Sequence, residues 1–596
     1  MTELHFFLVN IKMNTFSQFL FLSLTFIWFI SITAFAATTI HPDEKKALED
    51  IAKSLGKKDW NFDIDPCSSK PNWVTPPIPK VLDNNVTCDC SVAGDNFCHV
   101  IWISLKGQNL QGTLPPALNK LRYLQMIDLA RNNLNGTIPK EWGSLTNIRK
   151  LALLANRLTG PIPVEIANIS HLQELELYNN HFSGNLPPEL GHLTQIRTMR
   201  LSSNNFTGEL PVTFAKLTTL IEFRIEDNQF SGKIPDYIQN WKSINKVMIQ
   251  GSGLSGPIPS GISLLRNLND LRISDLNGSE YAPLPQLNNL TLLSNLILRN
   301  CNINGTLPEN LKTMKSLKIL DLSFNNLSGT IPRTYADMKS VKYIFLTGNL
   351  LTGSVPAWKK NVSVTFSNKL ILIFNPASNS LYINCGGNQT RVNGKSYDGD
   401  SDSSGPAKFH ASPTGNWTFS TTGIFIESGN LGENYSPQNI SKLTMEDAEL
   451  YTNARVSPIS LTYYGFCLAN GSYTVNLHFA EIMIPDDQSY GSLGRRIFDI
   501  YLQGKSVQKD FNIAKEAGGV GKKIIKQFND VVVTSNTLEI RLYWAGKGTQ
   551  SLPNKSVYGP LISAISVESS DSAPGSISAG AVIGIMVAAT IIMLSF

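Results

Sequence analysis

Leucine and isoleucine recur along the middle of the chain in a pattern that restarts every 24 residues. The restarts fall at Val100, Leu124, Ile148, Leu172, Ile196, Leu220, Ile244 and Leu268, and after one 25-residue step at Leu293, Leu317 and Val341. Each unit reads close to L-x-x-L-x-L-x-x-N-x-L-x-G-x-I-P. Such a period is the signature of a stacked repeat, because no single unit buries its own core. The pattern predicts a solenoid of about eleven units over residues 100–360, with one short parallel strand per unit.

The ninth position of the unit is usually asparagine. We expect its amide to turn inward and satisfy backbone groups of neighbouring turns, since buried polar groups are hydrogen-bonded. These residues are Asn132, Asn156, Asn180, Asn204, Asn228, Asn325 and Asn349. Cys301 stands at the same position, where we expect a buried structural thiol. The unit from Leu268 lacks this asparagine, and its residues 275–278 predict a local kink or an extruded loop.

The repeat pattern stops after Val355 and Pro356. From residue 381 the sequence changes to strand-like runs separated by turns, for example at 472–484, 495–507 and 530–544. Helical periodicity is scarce, and short strands with regular turns are typical of a β-sandwich. The sequence therefore predicts an all-β sandwich over residues 381–568, after a linker at 361–380.

Both ends of the chain are apolar. Residues 16–32 form an apolar run after Lys12, and the following Ala34-Phe35-Ala36 fits a cleavage site, so residues 1–36 are predicted to be a secretory signal peptide. Residues 577–596 carry no charge and predict a single transmembrane helix, after a juxtamembrane linker at 569–576. Basic residues normally follow a spanning helix on its cytoplasmic side. Their absence leaves two alternatives open: a chain cut short inside the membrane, or a lipid-anchor signal.

Cysteines behind a signal peptide are interpreted first as disulfides. Segment 37–99 begins with an amphipathic stretch at 43–55 and contains four cysteines, which predicts a disulfide-bonded cap over the first repeat. Three pairings are possible, of which we favour Cys67–Cys88 and Cys90–Cys98. The same cysteines with His99 could be read as metal ligands, but an oxidising compartment favours disulfides. We expect no metal and no cofactor.

Two further cysteines lie in the predicted sandwich. We expect Cys385 and Cys467 to form a disulfide there.

The charge of the chain is small, with a formal net value of +5, and it is not concentrated in a run, so nucleic-acid binding is not indicated. Glycosylation acceptors of the form N-x-[ST] are dense, which fits a surface exposed to the secretory pathway. The fifteen acceptors are Asn85, Asn135, Asn168, Asn205, Asn277, Asn289, Asn304, Asn326, Asn361, Asn388, Asn416, Asn434, Asn439, Asn470 and Asn554.

Outward-facing strand positions form the concave surface of a solenoid, which is where such proteins bind partners. In the middle repeats these positions are rich in arginine and acidic residues. The candidate ligand-binding residues are Glu176, Arg200, Arg224, Glu226, Met248 and Arg272. Arginine can hold a carboxylate with two hydrogen bonds, which favours a peptide or protein ligand. The alternative is a solvated face of paired charges.

The repeat segment Leu-x-Gly-x-Ile-Pro resembles that of plant leucine-rich-repeat receptors. Residues 380–567 resemble a malectin domain; the resemblance is carried by the segments at 381–387, 449–455, 473–481, 496–501 and 509–513. In this order the two parts are similar to the plant leucine-rich-repeat receptor-like serine/threonine kinases that carry a malectin domain. Malectin resembles carbohydrate-binding modules, and the animal protein recognises a glucose disaccharide.

The resemblance transfers only in part to a sugar pocket. An aromatic pair that touches the sugar in animal malectin is replaced here by Met483 and Ile484, and a further tyrosine is replaced by Val456. Sugars stack on aromatic faces, so this pocket lacks the side chains that would bind that ligand. Six other aromatic residues could build a different sugar site, or they could belong to the core: Tyr382, Tyr397, Tyr451, Tyr463, Tyr464 and Trp544.

The relatives that the chain resembles continue past the membrane into a kinase. These 596 residues contain no Gly-rich loop with a downstream Lys, no H-R-D and no D-F-G, so we expect no kinase activity from this chain. The resemblance implies a single-pass plasma-membrane receptor with its N-terminal region outside the cell. Its partners would be a peptide or protein ligand and a co-receptor kinase. The alternatives are a sensor of cell-wall oligosaccharides, a kinase-less decoy or co-receptor, and an inhibitor of a wall enzyme.

Overall fold

The computed structural model describes residues 39–68, 73–74, 83–358, 362–365, 378–402, 405–426, 435–439, 443, 445–555 and 557–570. The predicted signal peptide and transmembrane segment lie outside these residues, as do the acceptors Asn361 and Asn434. Within the described ranges, no helix is both long and apolar enough to cross a bilayer.

The chain begins with a cap helix, Pro42–Leu55. Pro42 at its first turn is preorganised for a helix, and Gly56 ends it in the left-handed conformation that glycine adopts without strain. The apolar face of the helix, including Leu48 and Ile51, is buried against the first repeat. Disulfides join Cys67 to Cys88 and Cys90 to Cys98, as predicted, and close the cap.

One sheet runs the length of the solenoid and forms its concave side; we call it the inner sheet. Its thirteen strands are parallel except for the first, which pairs antiparallel with the second. In order they are Asn85–Asp89, His99–Ser104, Met126–Asp128, Lys150–Ala152, Glu174–Glu176, Thr198–Arg200, Glu222–Arg224, Lys246–Gln250, Asp270–Ser274, Asn295–Arg299, Ile319–Asp321, Tyr343–Phe345 and Ser363–Thr365. The last strand lies inside the predicted linker and extends the sheet past residue 360.

A second ladder of shorter strands follows the first bend of each repeat. It is divided into two parts: Asn135–Gly136, Arg157–Gly160, His181–Asn185, Asn205–Gly208 and Gln229–Phe230, then Ala282–Pro283, Ile303–Thr306, Asn326–Thr330 and Leu350–Thr352. The interruption spans the irregular segment 275–278, where single bridges join Lys233, Ser255 and Asn277. The inner sheet stays in register there, so the irregularity affects only this second ladder.

Short 3-10 helices form the back of the solenoid. They are Pro116–Lys120, Lys140–Ser144, Val164–Asn168, Pro188–His192, Val212–Lys216, Asp236–Asn240, Ser260–Leu264, Glu309–Thr313 and Arg333–Asp337. Between them and the inner sheet lies one continuous core of leucine and isoleucine. The predicted asparagine ladder is present. Asn156, for example, donates to the carbonyls of Leu129 and Leu153 (3.0 Å each) and accepts from the amide of Leu134 (3.0 Å). Cys301 occupies this position as a buried thiol, 3.3 Å from the carbonyl of Ile273.

The C-terminal domain is the predicted β-sandwich. Its first sheet contains Thr390–Val392, Lys395–Asp400, Ser380–Cys385, Ala564–Ser569, Gly471–Ala480 and Lys523–Val533. Its second contains Phe409–Ala411, Trp417–Thr422, Ser460–Phe466, Thr537–Tyr543, Phe498–Leu502 and Lys505–Phe511. A small ladder joins Arg455–Val456 to Leu561–Ile562, and the short helices are Ala448–Tyr451, Tyr490–Leu493 and Ile513–Ala517.

The expected disulfide between Cys385 and Cys467 is wrong: the structure does not join these two residues. The carbonyl of Cys467 accepts a hydrogen bond from the amide of Ser378 (2.6 Å), at the start of the strand that Cys385 ends. Seven residues of extended chain, at about 3.3 Å each, place the two cysteines roughly 20 Å apart. A disulfide tolerates a Cα separation of about 7 Å at most. Cys385 is instead a core thiol, and burial raises its pKa.

Candidate functional site

The malectin-like domain lies against the concave side of the solenoid, and we call this contact the seam. The domain meets the same position in successive repeats, a residue just after each inner strand. Ser203 donates to the carbonyl of Gly548 (3.3 Å), and one repeat earlier Asn179 donates to the hydroxyl of Ser551 (3.3 Å). Each of these solenoid residues has a positive φ, which turns it out of the strand towards the domain. A single irregular segment, residues 543–552, therefore runs along successive repeats.

The seam is anchored at one end by a buried charge. Arg299 is 1% exposed and lies between the carboxylates of Asp275 (3.4 Å) and Asp321 (3.6 Å). Its Nε donates to the hydroxyl of Tyr543 (3.1 Å), which in turn donates to Asp275 (2.7 Å). The guanidinium also lies over the rings of Tyr543 and Trp544, at 5.8 and 5.2 Å from their centroids. An arginine buried this fully requires such partners, so both domains are needed to satisfy it.

The other end of the seam combines an apolar contact with a hydrogen bond. Leu552 is buried among Ala130, Ala152 and Ala155 of the first repeats. Nearby, the amide of Asn133 donates to the carbonyl of Gln488 (2.6 Å). Small alanines on and just after the inner strands leave room for Leu552 beside the sheet.

One ion pair crosses the middle of the seam. Arg495 of the malectin-like domain lies 3.0 Å from the carboxylate of Asp227. It adds a charge-assisted contact between the two ends already described.

The predicted ligand-binding stripe of the solenoid lies beside this seam, and four of its six residues are buried, including Glu176 at 7% exposure. Met248, Glu226 and Arg272 are buried at 0%, 2% and 4% exposure. Arg272 is already paired with Asp270, through Nε at 2.8 Å and a terminal nitrogen at 2.7 Å. These three residues therefore do not form an open docking surface.

Arg200 and Arg224, the two stripe residues that are partly exposed, line a pocket of about 230 Å³ at the seam together with the buried Glu226. Arg200 and Arg224 lie side by side on neighbouring inner strands, with Tyr178 and Glu226 beside them. The other wall comes from the malectin-like domain through Gln550, Ser551 and Lys555. The structure thus brings Arg200, Arg224 and Glu226 together and adds Lys555, which the sequence did not single out.

The arginines of this pocket are hydrogen-bonded to neighbouring carboxylates. Arg200 donates to Glu176 (2.6 Å) and to Glu222 (2.7 Å), and Arg224 donates to Glu222 as well. Burial favours a raised pKa for Glu222, but the hydrogen bond from Arg200 and the charge of Arg224 outweigh it and lower that pKa. Burial raises the pKa of both Glu176 and Glu226. Burial alone would lower the pKa of Arg200, but the hydrogen bond to Glu222 and the charges of Glu222 and Glu176 outweigh it and raise that pKa.

The six residues of the predicted sugar pocket do not share one site. Val456 is fully buried in the interior core of the sandwich, against which Met483 packs, and Ile484 is 4% exposed. The expectation that these three line a pocket is therefore not met, because they are needed for packing.

Three tyrosines do come together on the outer side of one sandwich sheet. The rings of Tyr382 and Tyr397 lie 5.3 Å apart, and the hydroxyl of Tyr451 is 3.1 Å from Nδ1 of His478. Burial lowers the pKa of His478 to about 4, which keeps this ring neutral. Tyr397 and Tyr451 are buried, so only Tyr382 offers part of its face to solvent.

Apart from Asn85, which begins the first inner strand, the described glycosylation acceptors leave the concave strands clear. Of the fifteen, the thirteen in the described ranges are all exposed or partly exposed. None lies on the inner strands from Met126–Asp128 to Tyr343–Phe345. Asn554 is in the malectin-like loop that carries Lys555, at the margin of the pocket.

The seam itself was not found from the sequence. Asp275, Arg299 and Tyr543 carry it. The sequence marked Asp275 only as part of the irregular segment 275–278, and the other two residues look ordinary in their own domains. One signal was available: Arg299 is a charged residue at an inner-strand position that holds serine in the preceding repeat, Ser274.

Comparison with known proteins supports this architecture. The Malectin domain family matches residues 379–565, and Leucine rich repeat families match residues 291–351, 123–145, 171–193 and 195–217. A probable LRR receptor-like serine/threonine-protein kinase of Arabidopsis thaliana is 48% identical over 580 residues, which cover 89% of this chain and 57% of that protein. A second such kinase of Arabidopsis thaliana is 48% identical over 596 residues, covering 92% of this chain and 58% of the relative.

The chain contains leucine-rich repeats and a malectin domain, and it is similar to leucine-rich-repeat receptor-like serine/threonine kinases. This LRR–malectin chain spans less than three fifths of the length of those two relatives. Its matched families are the repeats and the malectin domain.

Solved structures are similar to the solenoid. They include PEPR1 in complex with AtPEP1, with 28% identity and a TM-score of 0.45 over 53% of this chain and 46% of that one. They also include the Arabidopsis receptor kinase HAESA with the peptide hormone IDA and the co-receptor SERK1, with 26% identity and a TM-score of 0.46 over 53% and 51%.

Proposed function

We propose that this LRR–malectin chain is the extracellular ligand-binding region of a plant plasma-membrane receptor-like kinase. In this proposal the solenoid perceives a peptide or protein ligand, and a kinase outside these 596 residues, its own or that of a co-receptor, transmits the signal. The observation that carries the proposal is the pair Arg200 and Arg224. They are the two stripe arginines that remain partly exposed, at 28% and 21%, beside the docked malectin-like domain.

The fold supports this role in a specific way. A solenoid offers a long concave surface, and here the malectin-like domain covers one side of it while the arginine pair stays accessible at the edge of the seam. Ligand sites occur preferentially at such domain interfaces. Guanidinium groups recognise carboxylates with two parallel hydrogen bonds, so acidic groups of a peptide are suitable partners.

Binding measurements on the full chain, expressed in plant cells and purified in detergent, test the proposal. The probes are a synthetic library of octapeptides with free C-termini and a panel of cello- and pectic oligosaccharides. We expect some peptides to bind and to lose about tenfold or more in affinity in the double variant Arg200→Gln and Arg224→Gln. The control is Arg333→Gln, an exposed arginine on the back of the solenoid. Peptide binding that ignores the arginine pair would refute this site.

Carbohydrate sensing by the malectin-like domain is the second candidate function. The partly exposed ring of Tyr382 beside Tyr397 favours it, since sugars stack on aromatic faces. Oligosaccharide binding that is lost in Tyr382→Ala, with no peptide bound, would favour this candidate over the first.

A further inference from the structure

The concave side of the first repeat carries an exposed aromatic ring. Among the tryptophans in the described ranges, Trp102 alone is exposed, at 44%. The next residue of its strand, Ile103, is buried in the solenoid core. Successive residues of a strand point to opposite faces, so the ring of Trp102 lies on the concave side. A single exposed hydrophobic residue is ordinary, and what distinguishes this one is its neighbour.

That neighbour is a glycosylation acceptor on the same face of the sheet. The first inner strand pairs antiparallel with the strand of Trp102, and the register sets Thr87 opposite Trp102. Asn85 lies opposite Ser104. Residues directly opposite each other share one face. Asn85 and Thr87 are the first and third residues of an N-x-T acceptor, and Nδ2 of Asn85 donates to the hydroxyl of Thr87 (3.2 Å). The whole acceptor therefore faces the same way as the ring.

The diagonal between Asn85 and Trp102 is the close one. Continued by one step, the register places Asp83 beside Lys106, and the amide of Asp83 donates to the carbonyl of Lys106 (3.1 Å). The side chain of Asp83 instead accepts from the hydroxyl of Ser104 (3.1 Å), two positions earlier. Asn85 and Trp102 form the same diagonal one step along the ladder. Such pairs lie roughly 7 Å apart, which a sugar joined to the asparagine side chain spans.

The two groups are chemically complementary. The faces of a pyranose ring carry C–H groups, and the face of an aromatic ring is its electron-rich side. Stacking removes apolar surface of both rings from water. A glycan on Asn85 is already tethered beside Trp102, so the contact is intramolecular and has a high effective concentration. Asn85 itself is exposed, so the face is open to an attached glycan.

We propose that Asn85 carries an N-linked glycan whose first N-acetylglucosamine stacks on the exposed ring of Trp102. Transfer forms the bond from Nδ2 of Asn85 to C1 of the sugar. It breaks the bond from C1 to the diphosphate of a lipid-linked oligosaccharide donor, and the amide loses one proton as the lipid diphosphate leaves. The glycan covers the concave face of the first repeat, so the open concave surface begins at the next repeat. This inference goes beyond the proposed function and shares with it only an extracellular location.

The full chain, expressed in plant cells and purified in detergent, is the material for the test. Mass spectrometry of its glycopeptides measures the occupancy of Asn85, and hydroxyl-radical footprinting measures the labelling of Trp102. We expect Asn85 to be occupied. Because a stacked sugar covers one of the two faces of the ring, Asn85→Gln should raise the labelling of Trp102 about twofold.

Three further variants are matched controls. Thr87→Val keeps the size of the side chain but destroys the acceptor, so its labelling should resemble that of Asn85→Gln. Thr87→Ser keeps the acceptor and should resemble the wild type. Asn135→Gln removes an exposed acceptor that lies on the second ladder and not on the inner sheet, and it should leave the labelling of Trp102 unchanged.

Hydrogen exchange separates stacking from simple shielding by a nearby glycan. The amides of residues 99–104 report on the strand that carries the ring. We expect Asn85→Gln to speed their exchange in the wild type and to have no further effect in Trp102→Ala, because residues in contact are energetically coupled. The same acceleration in both backgrounds would show that the ring does not hold the glycan, and the proposal would fail.

Occupancy also distinguishes failure of this inference from failure of the proposed function. An unmodified Asn85 in a chain whose other acceptors are occupied would overturn the inference and leave the receptor proposal standing. An occupied Asn85 with unchanged labelling of Trp102 in Asn85→Gln would do the same. A chain without any occupied acceptor would overturn the inference together with the extracellular location that the proposed function requires.

Discussion

Gly251 of the solenoid and Gly546 of the malectin-like domain meet backbone to backbone at the seam. A Cβ on Gly546 would lie 2.7 Å from the amide nitrogen of Gly251, and a Cβ on Gly251 would run into the carbonyl oxygen of Ala545. Only glycine at both places allows this approach. The two domains are therefore fitted to each other by their backbones as well as by side chains.

Gly251→Ala is expected to loosen the seam. Its φ of 55° adds a cost for any side chain, but the decisive effect is the clash with the facing domain. Hydrogen exchange of residues 543–552 in the full chain measures the result, and we expect faster exchange in the variant. Gly305→Ala is the matched control, because Gly305 also has a positive φ, yet an added Cβ there meets nothing within 4 Å. Equal exchange in the two variants would contradict the close approach.

Tyr543→Phe tests the buried charge at the end of the seam. The phenol hydroxyl accepts from Arg299 and donates to Asp275, so its removal leaves both buried groups short of a partner. We expect a loss of about 1–3 kcal/mol in the free energy of docking or unfolding. A lowered midpoint in urea unfolding would report it. Tyr501→Phe, whose ring contacts Tyr543 but whose hydroxyl makes no hydrogen bond in the described part of the chain, should unfold like the wild type.

The repeat periodicity predicted the solenoid well because every unit has the same packing and hydrogen-bonding requirements. Every unit must bury the same leucines and satisfy the same backbone groups, so Asn156 and its equivalents could be located by counting. Docking of the second domain has no such period. The features at Gly251, Arg299 and Tyr543 do not recur along the chain. Their roles depend on contacts between residues more than 200 positions apart. For the same reason the stripe residues Met248 and Arg272 looked accessible in sequence and are buried in the structure.

His99 makes the cap sensitive to pH. Its ring nitrogens lie 2.7 Å from Glu44 and 2.9 Å from Asp95. Burial alone would lower the pKa of His99, but the hydrogen bonds and charges of the two carboxylates outweigh it and raise that pKa. A raised pKa in the folded state stabilises the fold fully below the ordinary histidine pKa of about 6.5. That stability is lost as pH rises through the folded-state pKa.

We expect the melting temperature of the chain to fall as the pH is raised above about 6.5, and His99→Gln to flatten this dependence. Differential scanning fluorimetry from about pH 5 to about pH 9, the range in which histidines titrate, measures the melting temperature. His192→Gln, an exposed histidine on the solenoid, is the control. A pH dependence that persists unchanged in His99→Gln would show that other groups cause it.

Peptide mapping without reduction tests the cysteine assignments. We expect bridges between Cys67 and Cys88 and between Cys90 and Cys98. A peptide that joins Cys385 to Cys467 would contradict the distance between the two ends of the strand Ser380–Cys385. Reduction of the cap disulfides should lower the stability of the cap by about 2–5 kcal/mol, because small secreted segments depend on such bonds.

A cysteine trap across the seam tests the central claim most directly. Asn179 and Ser551 touch across the domains through their side chains at 3.3 Å, so a short bis-maleimide reagent should link the two thiols of the double variant Asn179→Cys and Ser551→Cys in the full chain. Mass spectrometry should find the two segments joined in the double variant and in neither single variant. Two segments that each carry the reagent but are not joined would mean that the malectin-like domain does not rest on the repeats, and that the pocket between them does not form.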